Sequence, residues 1–399
     1  MKKFLGITTI RSDYDLLSPL YRLLDDDPEI DFRLLVAGTH LSPTFGNSIR
    51  FVENDGFKLI GALETLLDSN SKIGRCKSAG ILMLSAVDLV AGFSPDLLLF
   101  AGDREDVLVA AMIGGYLEIP TAHFYGGDHV KDGYIDNSVR HATSKLASYH
   151  FVSLQEHRDR LMRLGEIGER IFVVGSIALD KFVNHKEVPW DSILQKFTKA
   201  KEFRDFATVI FHPISGERSN GREILGNIIS ELQKHGISAF VSYPNSDPGN
   251  REIIDFLQTL EADPNIVLFK NLERETFLTI YKRSSLIIGN SSSGICEAAS
   301  IPIPAINVGL RQVGRSAGQN VIFCSPDSES ISLALTRCKD ADFRQMVQNI
   351  KNPYGNGNSA KKALGILKCL PLKNAVFKPE DPLELINTFQ SQGSCHDRV

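Results

Sequence analysis

LIIGNSSSGICEA, residues 286–298, is an apolar run, a turn of glycine and serine, and then a stretch that reads as a helix. Gly289 and Gly294 permit tight backbone turns, and Ser291, Ser292 and Ser293 supply hydroxyls. The N-terminus of the following helix offers free N–H groups and a partial positive charge, which together suit a phosphate. Glu297, about one turn into that helix, is placed to accept hydrogen bonds from a ribose diol. The plainer reading is an N-cap in a serine-rich loop, and the stretch by itself weighs the two equally. It is not a Walker A loop, because no Gly-Lys-Ser/Thr follows.

Outward from this stretch the same step recurs. FLGITTI (Phe4–Ile10) reads as a first strand, followed by a polar turn at Arg11–Asp15 and a helix over Ser18–Leu24. FRLLVAG (Phe32–Gly38), LLLFAGDRED (Leu97–Asp106), PTAHFYGGD (Pro120–Asp128), HFVS (His150–Ser153) and IFVVGS (Ile171–Ser176) continue the series. A polar break, NHKEVPWD, spans residues 184–191. The pattern then restarts with ATVIFHP, SAFVSYPNSDPG, NIVLFK, LIIG, IPAINVG and VIFC. Near-continuous apolar strands separated by helices predict parallel sheets with helices on both faces. The expected division is an N-terminal Rossmann-like domain over 1–183 and a second over 184–370. A segment over 371–399 is expected to pack back on the first domain with a loose end. Two such α/β halves favour a ligand in the cleft between them, outside the carboxyl ends of the strands.

The bulk properties narrow the class. The chain has 399 residues, 43% hydrophobic and 23% charged, and a net charge of −4. No lysine and arginine cluster suggests a nucleic-acid face. Six scattered cysteines without a CxxC pair fit reduced thiols in a cytoplasmic protein. The apolar start ends at Arg11, too short for a signal peptide. No segment is read as reaching the ~20 apolar residues of a membrane span, so no membrane partner is expected. Histidine and cysteine spacing predicts no metal, and TTIRSDYD at the first strand end carries no GxGxxG, which argues against a dinucleotide cofactor.

Polar residues gather at the predicted strand ends. Arg11, Arg104, His212, Arg311 and Arg315 recur there, and one anionic ligand explains them together better than singly. Asp103 ends LLLFAGD, Asp128 follows HFYGG, and Asp136 lies in GYIDNSVRH. Acids on separate strand-end loops can converge for general acid–base work, although turn chemistry accounts for any one of them alone. His123 sits inside a strand and reads as a core histidine.

GDREDVL, HFYGGD, DGYIDNSVRHATSKL, FHPISGE, YPNSDPG, IIGNSSSGICEA, INVGLRQVGR and YGNGNSA occur in one order over about Phe4–Leu370. In this the chain resembles the hydrolysing UDP-N-acetylglucosamine 2-epimerases of sialic-acid synthesis, including relatives that act on UDP-N,N'-diacetylbacillosamine. The resemblance implies a glycosyltransferase-B-like arrangement of two facing Rossmann-like domains with the active site in the interdomain cleft. It implies elimination of UDP to a glycal, then water addition, giving the free manno-configured sugar. It also implies a homodimer and no cofactor. Asp103, Asp128 and Asp136 match the family's catalytic carboxylates, and His212 joins them. Arg11, His212, Ser291, Ser292 and Arg311 match nucleotide-contacting positions, with Asn245 and Glu297 toward the nucleotide or ribose. His40, Arg104, Tyr125, Arg140, Ser293 and Arg315 complete the substrate-binding set. The YGGD loop departs from the family's pattern at Tyr125 and in the shorter acid Asp128. An altered sugar pocket, a positioning or proton-transfer role for Tyr125, and simple family variation all fit that departure. A non-hydrolysing epimerase, a glycosyltransferase on the same scaffold and a silent nucleotide-sugar sensor are the alternatives in function.

Overall fold

The computed structural model describes residues 1–69, 71–131, 135–183, 185–213, 221–244, 249–270 and 272–382. The chain divides into two compact units: Met1–Asp128, Ile135–Asp180 and Gly357–Val399 in one, His129–Tyr134 and Lys181–Asn356 in the other.

The first unit is built on a seven-stranded parallel sheet. Its strands are β1 (Lys2–Thr8), β2 (Ile30–Ala37), β3 (Leu59–Leu63), β4 (Leu97–Ala101), β5 (Thr121–Phe124), β6 (Tyr149–Val152) and β7 (Ile171–Val173). The order is β3-β2-β1-β4-β5-β6-β7. Successive side chains of a strand point to opposite faces, so a strand covered on both sides is apolar throughout. β4 does this: Leu97, Leu99 and Ala101 enter one core cluster, and Leu98 and Phe100 enter the other.

The second unit repeats the plan with six parallel strands. They are β8 (Phe206–Ile210), β9 (Ser238–Ser242), β10 (Ile266–Phe269), β11 (Leu286–Gly289), β12 (Ala305–Val308) and β13 (Val321–Cys324), in the order β10-β9-β8-β11-β12-β13. In the central strand β11, Leu286 and Ile288 face one core cluster and Ile287 the other. Gly289 ends β11 at φ +144°, and a Cβ there would lie 2.0 Å from the Ile210 carbonyl oxygen of β8. No other residue fits that approach.

Three expectations change. The first helix begins at Arg11 and runs to Asp25, so Arg11–Asp15 is its first turn and not a separate polar turn. The Asp13 carboxylate accepts the N–H groups of Thr9 (3.0 Å) and Ile10 (3.3 Å), which fixes that start. The last described helix, Ser359–Cys369, lies in the first unit and not with the second half. Ala360, Ala363 and Leu367 are in the first unit's core, and the Asp180 carboxylate caps the helix by accepting from Ser359 N–H (3.0 Å) and Ala360 N–H (2.7 Å). Finally, the helix Lys72–Phe93 is, by length and composition, long and apolar enough to cross a membrane. Its apolar runs, Ala79–Leu84 and Leu89–Phe93, are interrupted at Ser85 and Asp88, so no unbroken stretch of membrane-spanning length stands in the sequence. Ile73 (68% exposed) and Leu84 (77%) lie on its outer surface.

Candidate functional site

In each sheet the order of connection reverses between two neighbouring strands, β1 and β4 in the first unit, β8 and β11 in the second. The carboxyl ends of such a pair leave a crevice that no crossover helix covers. Arg11 and Asp103 follow β1 and β4 at the first of these places, and His212 and Ser291 follow β8 and β11 at the second.

In the first unit, Asp103 follows the end of β4, after Gly102 at φ +104°. Its carboxylate is bound by the guanidinium of Arg140 from the helix Ile135–Leu146. Arg140 is buried, and its second amino group donates to the Asp128 carbonyl (3.0 Å) and to Asn137 Oδ1 (3.2 Å). One side chain thus ties together the β4 turn, the loop after β5 and the following helix. Asp128 also faces His157 Nε2, at 3.5 Å. Gly127, at φ +75°, packs so closely that a Cβ would sit 2.3 Å from the His157 carbonyl oxygen. Asp136 stands in the first turn of the Arg140 helix, 3.5 Å from Arg75.

Other first-unit candidates take different places. Arg11 opens the first helix, pairs with Asp15 at 3.6 Å and lies over the Phe51 ring. Arg104 is the N-cap residue of the helix Glu105–Tyr116. His40 is fully buried between Thr8 Oγ1 (3.0 Å) and Ser48 Oγ (2.9 Å). Burial pushes its imidazole down to about 4, so it is neutral near pH 7. His123 is a core histidine, bonded to Ser144 Oγ and the Gly102 carbonyl, and burial pushes it down to about 3. Tyr125 has φ +65°, yet its ring packs against the core and its hydroxyl accepts from Ala178 N–H at 3.1 Å. The same hydroxyl reaches the Leu16 carbonyl at 3.3 Å.

In the second unit, Ser291 is the N-cap of a short helix, Ser292–Cys296, and its Oγ accepts from Ser293 N–H. Ser293 Oγ donates to the Glu297 carboxylate and lies 3.0 Å from Tyr281 Oη, which can donate to it. His212 lies just past β8. Burial, with the neighbouring Arg311 cation, pushes its imidazole down to about 3, so it too is neutral. Arg311 donates to the Asn290 carbonyl (3.1 Å), and Arg315 donates to Gln312 Oε1 (2.7 Å). Asn245 lies outside the described residues.

Several residues went unread in the sequence. Asn290 is fully buried; its amide accepts His212 N–H and donates to the His212 carbonyl, both at 2.8 Å. Gln312 Nε2 joins Arg311 on the Asn290 carbonyl, at 3.0 Å. Both stand inside motifs already quoted, but eyes drawn to serine hydroxyls and arginine charges pass over amides. Asp13 and Asp106 likewise stand inside quoted stretches, TTIRSDYD and GDREDVL, whereas Arg75 lies in none. Asp106 accepts from Thr9 Oγ1 at 3.0 Å, a contact that only the pairing of β1 with β4 creates.

A family model described as UDP-N-acetylglucosamine 2-epimerase matches residues 22–368. The chain is 31% identical over 377 residues to a UDP-N,N'-diacetylbacillosamine 2-epimerase (hydrolyzing) of Legionella pneumophila, covering 94% of this chain and 98% of that protein. It is 31% identical over 354 residues to a GDP/UDP-N,N'-diacetylbacillosamine 2-epimerase (hydrolyzing) of Campylobacter jejuni, covering 86% and 89%. Among solved structures, a UDP-GlcNAc 2-epimerase from Neisseria meningitidis bound to UDP-GlcNAc matches with TM-score 0.76 at 18% identity, over 92% of this chain and 99% of that one. The fold is therefore that of the glycosyltransferase-B-like proteins with two Rossmann-like domains.

Proposed function

The chain belongs to the UDP-N-acetylglucosamine 2-epimerase family, and from that premise we propose that it is a hydrolysing epimerase of a UDP-2-acetamido sugar. Asp103, Asp128 and Asp136 divide the proton transfers at C2. A base takes the C2 proton, the C1–O bond to UDP breaks, and its electrons leave with the diphosphate as C1=C2 forms. Water then adds its hydroxyl to C1, and C2 is protonated on the opposite face, which yields the free manno-configured sugar and UDP. The observation that carries this is the binding of Asp103 and the Asp128 main chain by one buried arginine, Arg140. A carboxylate that must remove a weakly acidic proton needs a fixed position.

The second unit supplies the leaving-group side. Ser291 and Ser292, with the N–H groups of the turn, donate to diphosphate oxygens, Ser293 holds Glu297 in place, and Arg311 and Arg315 balance the diphosphate charge. Neutral His212 serves as a hydrogen-bond partner there, Glu297 takes the ribose diol, and Asn245 joins the nucleotide contacts. No cofactor takes part. In the first unit, His40 and Arg140 are engaged inside the protein, so they support the site from behind.

A second reading narrows the substrate to UDP-N,N'-diacetylbacillosamine. It is favoured by the Legionella and Campylobacter relatives, whose names carry that sugar. The test is incubation with a panel of nucleotide sugars and mass identification of what is released. UDP with a free manno-configured sugar supports hydrolysis, and the best-used member fixes the sugar. An intact epimerised UDP-sugar, or no release without an acceptor, rejects it. We further propose a cytoplasmic homodimer paired through the exposed apolar side of the helix Lys72–Phe93. Light scattering that reports a monomer rejects that pairing.

A further inference from the structure

Resting on the proton-transfer reading above, we propose that Arg75 is a positioning residue for the reaction: its guanidinium, oriented by Glu105, fixes the charge and place of Asp136. Arg75 lies one turn into the helix Lys72–Phe93, whose start is capped by Ser71 Oγ accepting from Gly74 N–H. Its Nε and Nη2 donate side-on to the two Glu105 carboxylate oxygens, each at 2.6 Å. That two-point pairing fixes the plane of the guanidinium, which a single contact does not do. The same Nη2 then lies 3.5 Å from Asp136 Oδ1.

The placement links three elements of the first unit. Glu105 opens the helix Glu105–Tyr116, two residues after Asp103. Asp136 is in the first turn of the helix Ile135–Leu146. Arg75 therefore holds the turn carrying one proposed proton-transfer acid in register with the helix carrying another. Among the described residues, Arg75 stands beside Asp136 with Glu105 on its other side, and Arg140 lies one turn along the Asp136 helix, paired with Asp103. The Arg75 cation, 3.5 Å away, favours the charged form of the Asp136 carboxylate. A cation this near a carboxylate shifts its titration by up to 1–3 pH units when buried. Here both groups are about one-third exposed, and solvent screening reduces the effect.

The test is a carboxyl-carbon NMR titration of Asp136, assigned by loss of its signal in D136N, in the wild type and in R75M. The expected result is an upward shift of about half to one pH unit in R75M, with at least half of it reversed in R75K. The limb of the kcat pH profile that belongs to Asp136 should move by the same amount. On that limb kcat should fall about three- to tenfold at fixed pH, while KM stays within about twofold. If R75M strands Glu105 and unfolds, R75M/E105Q removes both charges and is read in its place. An Asp136 titration that does not move in a folded variant overturns the inference. The titration needs no turnover, so a wild type inactive on every nucleotide sugar would sink the proposed function and leave this result readable.

Discussion

Both units carry their polar residues beside the crossover pair of the sheet, but they hold them by opposite means. In the first unit charge is held by charge: Arg140 binds Asp103, and Arg75 binds Glu105 beside Asp136. In the second, amides and main-chain carbonyls do the fixing, and the Arg311 cation is itself held on a neutral carbonyl. The Asn290 amide spans the His212 main chain, Gln312 and Arg311 converge on the Asn290 carbonyl, and Ser291 caps its own helix. A carboxylate that moves protons has its protonation set by the cation next to it. A site for a leaving diphosphate needs fixed donors and few competing acceptors. The difference matches the division of labour proposed above.

The strongest way to break this comparison is Asp103→Asn. It keeps the shape and removes the charge. Turnover should fall by about 10³-fold, within the range general acid–base groups supply. UDP affinity, measured by calorimetry, should stay within about twofold, because the nucleotide is assigned to the other unit. Loss of UDP binding along with turnover would undo the division.

Acid should separate the units next. His40 and His123, both in the first unit, are held neutral by burial, at about 4 and about 3. In the unfolded chain each titrates near 6.5, so below that pH the unfolded state binds protons that the folded state refuses. Their contribution is full above pH 6.5 and is lost as pH falls toward 4 and 3. By pH 5 each should cost about 2 kcal/mol. The second unit has one such group among those named, His212, at about 3. Asp13 and Asp106 of the first unit are raised by burial, Asp13 to about 7, so they take up protons over this range with the opposite sign. In D13N/D106N, amide exchange at pH 5 should therefore rise more in β1, β4 and β5 than in β8 and β11. Equal acceleration in both units would show that the buried histidines do not set acid stability.

Much of this is legible in the sequence. The strands announced themselves because a strand buried on both faces must be apolar at every position, as Leu97–Ala101 is. Asp103 and the serine turn were legible because they follow such runs directly. Partnerships were not. Nothing local says that Arg140 faces Asp103 across 37 residues, or that His40 is sealed between Thr8 and Ser48. The helix Ser359–Cys369 was misassigned for the same reason: its cap is Asp180, some 180 residues earlier. Periodicity records which face of an element is covered, and not which element covers it.

Ser292→Ala tests the second unit more gently. Its hydroxyl is one donor among several on the proposed diphosphate, and a hydrogen bond to a charged group is worth about 1.5–3 kcal/mol. UDP affinity should weaken about tenfold at the lower end of that range, with kcat little changed. A drop in kcat at unchanged UDP affinity would move Ser292 into the chemical step and blur the contrast between the units.

The smallest effect is expected at Tyr125→Phe, and it bears on the YGGD loop, which differs from the pattern the resemblance implies. Tyr125 adopts φ +65°, a conformation that disfavours a side chain. What holds it there lies behind the loop: the ring packs against the first unit's core, and the hydroxyl takes Ala178 N–H. A phenol so engaged is placed to brace the loop that ends in Asp128. Its removal should cost about 1 kcal/mol of stability, the net worth of an ordinary hydrogen bond. Turnover should stay within about twofold, and the pH profile should not move. Should kcat fall a hundredfold with an unchanged melting temperature, the phenol would belong with the proton-transfer groups, and the first unit's chemistry would no longer rest on its carboxylates alone.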